Sequence, residues 1–567
     1  MKSYRNLLGL QKKLYNMKIY GNKSLYEILI FKSLDNSLWW LIDNEVYSNL
    51  TFSLKNKWMG RISKLLVNKE FSYNLMIGLS IIRFILIIFM ICFLKLLGLF
   101  FRFTNRKLYT QGKLKVLFTG QDIAWRSLPK YDGRSVVFVK GDALFEYVMS
   151  EIKKRGYISI STCPLSLKQY RPFSWFSSIR VYLEKMVLWD KLHVPSEWYF
   201  NVHVLYLRLL MLKYLFLVRN KLKRVNHSML VKILFDKIVF PYLPLALEYL
   251  AYNFYLLDKL KPCAVVIRNE YGMWERSLIL ASKKLGILTI GIQHGIIHAL
   301  HRGYRYDSDE SPLFVDEFVV YGDKFKDLIT ESNGALADKI VVIGSPRYDG
   351  TLTLSHKVSS DVLRRIVFYK CGLKDVFDKK YKIMLWTTQT HAFSRSTAKR
   401  YIEDVCLAIN DINREFNDKL LLLIKPHPGE KGTKNLYMSI IKSLNCNAKL
   451  LSKDSNVYEL MIVSDILLTL NSTTALEFKV LGKDNVVLYN PINDKLASYY
   501  AKEGVGVEAR NVKELKEILL QFVKCNLPLY SKRSGDFVNY YFNSVGCEAT
   551  NSIANLIIEA CNKFYIG

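Results

Sequence analysis

The sequence predicts an α/β protein with two Rossmann-like units, preceded by a helical, membrane-associated region. Three observations lead there. Short Val/Ile/Leu runs ending in Gly or polar residues recur from residue 113 onward with helical text between them, the pattern of parallel strands covered on both faces. Two stretches in the last third, 421–430 (LLLIKPHPGE) and 465–477 (DILLTLNSTTALE), are aliphatic strands that run straight into polar residues able to hold a phosphate. Residues 75–101 form a run of 27 with only Arg83 and Lys95 charged.

The elements follow in order. The segment 113–120 (KLKVLFTG) reads as a first strand, 135–139 as a second followed by a helix to Lys154, and 157–161 as a third. Residues 163–240 interrupt the alternation with aromatic, basic helical text such as 205–219 (LYLRLLMLKYLFLVR), read as an insertion against the membrane or a lipid-linked acceptor, or as a buried helix pair. Strands resume at 264–267, 288–292, 317–321 and 339–343, with a helix at 274–285. The stretch 345–380 has no strong strand. A second unit then supplies strands at 382–386, 421–424, 449–451, 466–470 and 486–489, and the final helix, 550–561, is placed to cross back onto the first unit. The expected organisation is therefore 1–110 helical and membrane-associated, 111–350 the first unit with its insertion, 351–380 a linker, and 381–567 the second unit.

Composition narrows the function classes. Half of the 567 residues are hydrophobic and 13% aromatic, too rich for disorder. The formal net charge is +31, and much of it is local: residues 1–110 hold 17 Lys/Arg against 5 Asp/Glu, and 163–240 hold 13 against 4. Both segments are apolar as well as basic, which fits anionic lipid better than nucleic acid, for which no module is present. The run 75–101 is long enough to span a bilayer, and a helix dipping into the cytoplasmic leaflet is the close alternative. Basic residues on both flanks leave its orientation open. The polar extreme N-terminus is not a cleavable signal peptide. Nine scattered cysteines without CxxC spacing argue against a zinc site or a disulfide framework, and for a reducing compartment. No GxGxxG and no Walker GxxxxGK[ST] occurs, which excludes the usual nicotinamide and P-loop signatures.

The chemistry-bearing residues gather at strand ends. Lys425 and His427 stand between two prolines, and Asn471, Ser472, Thr473 and Thr474 open a helix, so hydroxyls, a cation and an imidazole converge where an anion would be held. Glu477 lies about one and a half helical turns beyond Ser472. Thr388 and Gln389 stand at the tip of the second unit's first strand, Glu270 after CAVVIRN, and His294 after LTIGIQ.

On these residues the chain resembles a known group. Residues 424–428 look like the HP motif, and 471–477 like the S/T motif, of bacterial capsule polysaccharide glycosyltransferases, the Kdo-transferase and polysialyltransferase type. CDP-glycerol glycerophosphotransferases of wall teichoic acid synthesis are similar but more distant. Segments 291–295 (GIQHG) and 344–349 (GSPRYD) also match text common in this class. The resemblance covers roughly 260–490 and implies a GT-B fold, two facing Rossmann-like domains with the donor held mainly by the second.

It further implies a glycosyltransferase that moves a sugar from a nucleotide-sugar donor to a cell-surface glycan or lipid-linked acceptor. No cofactor and no metal are expected, since no DxD stands where a diphosphate would sit; Lys425, His427, Ser472 and Thr473 would neutralise the leaving phosphate instead, and His427 would act as a catalytic acid that protonates it. Glu477 would reach ribose hydroxyls, with Gln389 a weaker candidate for the same cleft. Two residues compete as acceptor base. Asn269-Glu270-Tyr271-Gly272 departs from the acidic D/E-D/E-G motif of the polysialyltransferase type, whereas Gln293-His294-Gly295 matches the xHG motif of the glycerophosphotransferases, so His294 is favoured over Glu270. Glu270 could instead pair with Arg268 or Arg276, and Glu477 could be a solvated charge beside Lys479. A CDP-glycerol-type glycerophosphotransferase and a non-catalytic membrane scaffold remain the alternatives. Because nucleotide sugars are cytosolic, the catalytic units are expected on the cytoplasmic face of the cell membrane.

Overall fold

The computed structural model describes residues 114–120, 124–131, 136–164, 184–185, 191–194, 240–297, 304, 314–373, 381–390, 393–417, 420–427, 430, 432–453, 455–525, 534–545 and 547–566, together with short strand pairs between 18 and 37. The run 75–101 and nearly all of 163–240 lie outside the described residues. Among the described residues no helix is long and apolar enough to cross a membrane.

Strands β1 (Lys115–Thr119), β2 (Trp125–Tyr131), β3 (Val136–Asp142), β4 (Ile158–Thr162), β5 (Leu192–His193), β6 (Ala264–Ile267), β7 (Leu288–Ile292), β8 (Glu317–Val320) and β9 (Ile340–Val342) belong to the first half. Seven of them form one parallel sheet in the order β9-β8-β7-β6-β1-β4-β5. The 135–139 segment, expected as a strand of this sheet, is instead β3 of an antiparallel hairpin with β2, in register from Trp125 opposite Asp142 to Tyr131 opposite Val136. An apolar run fixes strand character but not the partner, and the place beside β1 goes to β4.

The second half holds β10 (Lys382–Thr387), β11 (Leu420–Lys425), β12 (Ala448–Leu450), β13 (Ile466–Thr469), β14 (Val486–Tyr489) and β15 (Val507–Ala509), a six-stranded parallel sheet in the order β12-β11-β10-β13-β14-β15. Numbered within each sheet, the second runs 3-2-1-4-5-6 and the first 3-2-1-4-5-6-7, the doubly wound Rossmann order with one strand added, which puts a crevice at the carboxyl ends where the order reverses. In the second sheet that switch lies between β10 and β13, at Thr387–Gln389 and Asn471–Thr473. The polar strand β15 had no apolar run to announce it.

The strands are apolar on both faces because both faces are covered. Leu421 and Leu423 join a core that also holds Leu117, Val265 and Phe318 of the first sheet, so one hydrophobic core runs through both halves. Leu420, Leu422 and Ile424, one residue out of phase, pack on the opposite side against helix Arg395–Phe416. Helices Asp349–Lys357 and Ser360–Lys370 lie between the sheets in sequence.

The chain ends on the first sheet. Helix Cys547–Ile566 buries Ile553, Ala554, Ile557 and Ala560 against Val116, Phe118, Val266 and Ile290. Cys561 forms a disulfide with Cys263, 298 residues earlier. This corrects the expectation that no cysteine is paired: spacing rules detect close motifs, and a bridge between chain-distant residues leaves no such trace.

Candidate functional site

The loop after β7 is held by its glutamine. Gln293 is fully buried; its side-chain nitrogen donates to the Gly295 carbonyl at 2.8 Å, and its Oε1 accepts from the Tyr321 amide at 2.8 Å. Pinned to its own loop and to the tip of β8, it leaves His294 half-buried at the sheet edge. A Cβ on Gly295 would meet nothing within 4 Å, so this glycine keeps space open rather than easing packing. Tyr271, from the Asn-Glu-Tyr-Gly turn after β6, places its hydroxyl 3.3 Å from His294 Nε2, and the two rings lie 5.8 Å apart.

The GSPRYD segment follows β9. Gly344 has φ +130, and a Cβ there would lie 1.9 Å from the Ser544 carbonyl oxygen, so only glycine lets the returning chain at 544–545 come this close. Ser345 then donates its amide to that same carbonyl at 3.1 Å, Pro346 opens a short helical turn, and Arg347 is carried inward. Arg347 Nη2 stands 3.1 Å from Glu477 Oε1, and its Nε donates to the Tyr458 hydroxyl at 2.6 Å. Burial would lower this guanidinium, but Glu477 and the surrounding tyrosines hold it well above its ordinary value. Asp349 accepts from the Thr550 hydroxyl and so anchors the last helix; burial raises its pKa to about 7.

These parts meet at a narrow cleft, partly open to solvent and with only about 10 Å³ of room in this structure, lined by Gly295 and Ile296 on one side, Thr473, Leu476 and Glu477 on the other, and Arg347 with Tyr321 and Tyr348 between. Glu477 Oε1 is met here by Arg347, and the Tyr321 hydroxyl and Ser345 Oγ lie buried beside each other. A guanidinium, a carboxylate and two hydroxyls gathered at one cleft suit a polar occupant.

The sequence-named residues fall into two groups. Thr473 and Glu477 line the cleft, and Ser472 is their half-buried neighbour, its hydroxyl accepting from the Thr474 amide at 3.3 Å. Glu477 is 2% exposed and tied to Arg347, so it is not the solvated charge the sequence left open; Lys479 pairs with Asp484 at 3.0 Å instead. His294 belongs to the loop that forms one wall. The others serve the frame. Lys425 turns its amine onto the carbonyls of Pro426 at 3.1 Å and Lys453 at 2.7 Å. Gln389 accepts from the Asn471 amide at 3.0 Å and donates to its side-chain oxygen at 2.6 Å, tying the tips of β10 and β13 together across the switch point. Glu270 is buried; burial, only partly offset by the Tyr304 hydroxyl, raises its pKa to about 8. His427 is exposed, its amide donating to the Thr388 hydroxyl at 3.3 Å.

Two residues were missed. Arg347 is the cation that reaches the cleft, and its signal was the arginine following a Gly-Ser-Pro turn at a strand end. Glu430 sits fully buried under the HP loop. One of its oxygens accepts from the Thr388 hydroxyl at 2.5 Å and the Thr390 amide at 3.0 Å; the other accepts from Tyr437 at 3.2 Å and Thr433 at 3.3 Å. A carboxylate three residues after His427 was visible in the sequence, but only the fold shows what it holds.

Two Rossmann-type sheets with a cleft at their carboxyl ends make a GT-B-like α/β fold. Residues 280–558, just under half of the chain, match the family model of CDP-glycerol:poly(glycerophosphate) glycerophosphotransferase. The match marks the chain as a transferase that draws on a nucleotide-linked donor. A comparison with curated proteins found no match. Similar solved structures include UDP-GlcNAc 2-epimerase from Neisseria meningitidis bound to UDP-GlcNAc, at 14% identity and TM-score 0.47, covering 79% of this chain and 100% of that one. UDP-GlcNAc 2-epimerase from Methanocaldococcus jannaschii stands at 12% and 0.45, covering 79% and 99%. A variant of the wall teichoic acid polymerase TagF stands at 13% and 0.42, covering 82% and 93%.

Proposed function

We propose that the chain transfers a glycerophosphoryl group from a CDP-glycerol-type donor to a hydroxyl of a lipid-linked or surface-glycan acceptor. The observation that carries this reading is the convergence of the His294–Gly295 loop, Arg347, Thr473 and Glu477 on one cleft. His294 takes the proton of the acceptor hydroxyl, whose oxygen attacks the glycerol-bearing phosphorus. The P–O bond to the nucleotide phosphate breaks, and CMP leaves against Arg347 and the Ser472 and Thr473 hydroxyls, with its charge met by the guanidinium. Glu477 and the neighbouring Tyr321 hydroxyl and Ser345 Oγ suit the hydroxyls of ribose or glycerol. The reaction needs no metal in this scheme, and it takes place at the cytoplasmic face of the cell membrane.

A second reading keeps the cleft and changes the group. In a glycosyltransferase of the capsule type, the acceptor oxygen attacks the anomeric carbon of a nucleotide sugar, and a nucleoside mono- or diphosphate leaves. Glu477 at the cleft supports it equally.

A donor panel with purified full chain and a polyol-phosphate or glycan acceptor, in EDTA, separates them. CMP release from CDP-glycerol with a product one glycerophosphate heavier supports the first reading. UDP, GDP or CMP release with a transferred sugar moves the assignment to the second. Absence of turnover with every donor would sink both, and strict dependence on Mg²⁺ or Mn²⁺ would sink the metal-free scheme.

A further inference from the structure

Arg347 is one of three guanidiniums gathered where the two halves meet. Arg268 stands at the tip of β6, its amide donating to the Thr119 hydroxyl at 2.9 Å. β6 and β1 are the neighbours between which the first sheet's order reverses, so Arg268 lies at that sheet's own switch point. Arg126 comes from β2, opposite Gly141 and next to the Trp125–Asp142 step of the hairpin. The charges of Arg126 and Arg347 are both felt at Arg268 and at Tyr458.

Packing carries the hairpin to this place. The Ser127 carbonyl accepts from Asn456 Nδ2 of the second half at 3.3 Å, and Asn456 caps the helix Val457–Val463 that bears Tyr458. The Pro129 carbonyl accepts from the Tyr147 hydroxyl at 2.8 Å. Gly350, three residues after Arg347, lies against that same carbonyl, where a Cβ would collide with it. β2 is thus seated on the turn that supplies Arg347.

The acids around the three arginines are engaged. Asp142 pairs with Arg268, Glu477 with Arg347 and Glu146 with Lys191, while Asp349 accepts from the Thr550 hydroxyl. Arg126, half-buried, has no acid partner among the described residues. Two neutralised pairs and a third guanidinium leave one positive charge to be met, and a bound anion meets it.

We propose that Arg126, with Arg268, forms a second phosphate subsite, so that the cleft selects donors with two linked phosphates: Arg347 meets the nucleoside phosphate and Arg126 the phosphate beyond it. This rests on the reading that the cleft holds a nucleotide-linked donor. A diphosphate diester carries two negative charges, and Arg347, shared with Glu477, does not balance them without a second cation. In glycerophosphoryl transfer the second phosphorus is the one attacked, so Arg126 would meet charge that builds on its oxygens. A donor with a single phosphate between nucleoside and sugar would leave Arg126 idle.

Calorimetric titration of the full chain with cytidine, uridine and guanosine mono- and diphosphates, in EDTA, tests the subsite without turnover. The diphosphate of the preferred base should bind at least about tenfold tighter than its monophosphate. Arg126→Ala should remove most of that ratio and leave monophosphate affinity within about twofold, which also reports that the variant is folded. Arg126→Lys should restore part of the ratio, and Lys130→Ala, on the same strand, should leave it unchanged. Equal affinity of the native chain for mono- and diphosphate would overturn the proposal. So would an unchanged ratio in Arg126→Ala, or an equal loss for both nucleotides. Should the native chain bind no nucleotide of either kind, the donor reading itself fails and the subsite falls with it.

Discussion

Arg347 and Glu477 form an ion pair across the two halves of the molecule, Nη2 to Oε1 at 3.1 Å, with only 15% and 2% of their side chains exposed. One partner follows the last strand of the first sheet, and the other lies on the helix after β13 in the second. The pair therefore joins the two halves at the cleft where the leaving phosphate is proposed to sit. With Nε given to Tyr458 and Nη2 to Glu477, Arg347 still brings its positive charge to the cleft wall, whereas the Lys425 ammonium is turned onto two carbonyls.

Arg347→Ala should lower kcat/KM by roughly 10²–10³ through loss of charge stabilisation at the leaving group. It also strands a buried carboxylate, which costs about 3–5 kcal/mol of stability. Adding Glu477→Gln should recover much of the melting temperature and none of the activity. Recovery of both would mean that Arg347 serves the fold alone.

Glu477→Gln by itself should raise donor KM more than it lowers kcat, because ribose or glycerol contacts are made in the ground state as well as the transition state. A selective loss of kcat would remove Glu477 from donor binding.

The pH dependence of kcat/KM separates the two candidate bases. Burial holds Glu270 up to about 8, so it carries a proton at neutral pH. A rate that is lost in His294→Ala and whose pH profile Glu270→Gln leaves in place assigns the base to His294. A rise centred near 8 that Glu270→Gln abolishes assigns it to Glu270. Stability follows the same group with a definite sign. The unfolded chain releases this proton near 4.5 and the folded chain keeps it to about 8. The folded state therefore loses ground as pH climbs through that window, and Glu270→Gln should melt with a flatter pH profile there.

Glu430→Ala removes the acceptor of four donors at a fully buried site and should cost on the order of 2–5 kcal/mol, read as a lowered melting temperature. Glu430→Gln keeps the shape but not the double acceptance, and should fall between. Unchanged melting in both would show that the HP loop does not depend on this carboxylate.

Peptide mapping without reductant should recover Cys263 and Cys561 in one linked fragment. Reduction, or Cys561→Ser, should then lower the melting temperature to the same extent, because each frees the last helix from the first sheet. Two separate alkylated peptides from untreated protein would refute the bridge.

The sequence by itself determined the strands and where most of them stop. The runs 264–267, 288–292 and 486–489 match the observed strands residue for residue, because a parallel strand buried on both faces must be continuously apolar and must end where polar residues meet the sheet edge. That rule also brought Ser472, Thr473, Glu477 and His294 into view as side chains at strand ends. It did not determine partners. β3 had the right composition for the main sheet and paired with β2 instead; Lys425 had the right charge for a phosphate and spent it on two carbonyls; Gln389 spent its amide on Asn471. Arg347 became the cation of the cleft because Gly344 lets Ser544 pack against the turn before it, and Cys263 met Cys561 because the chain returns to its first sheet. Burial is a local property that leaves a periodic mark on the chain. The direction of a side chain and its partner across hundreds of residues are set by packing, which leaves no such mark.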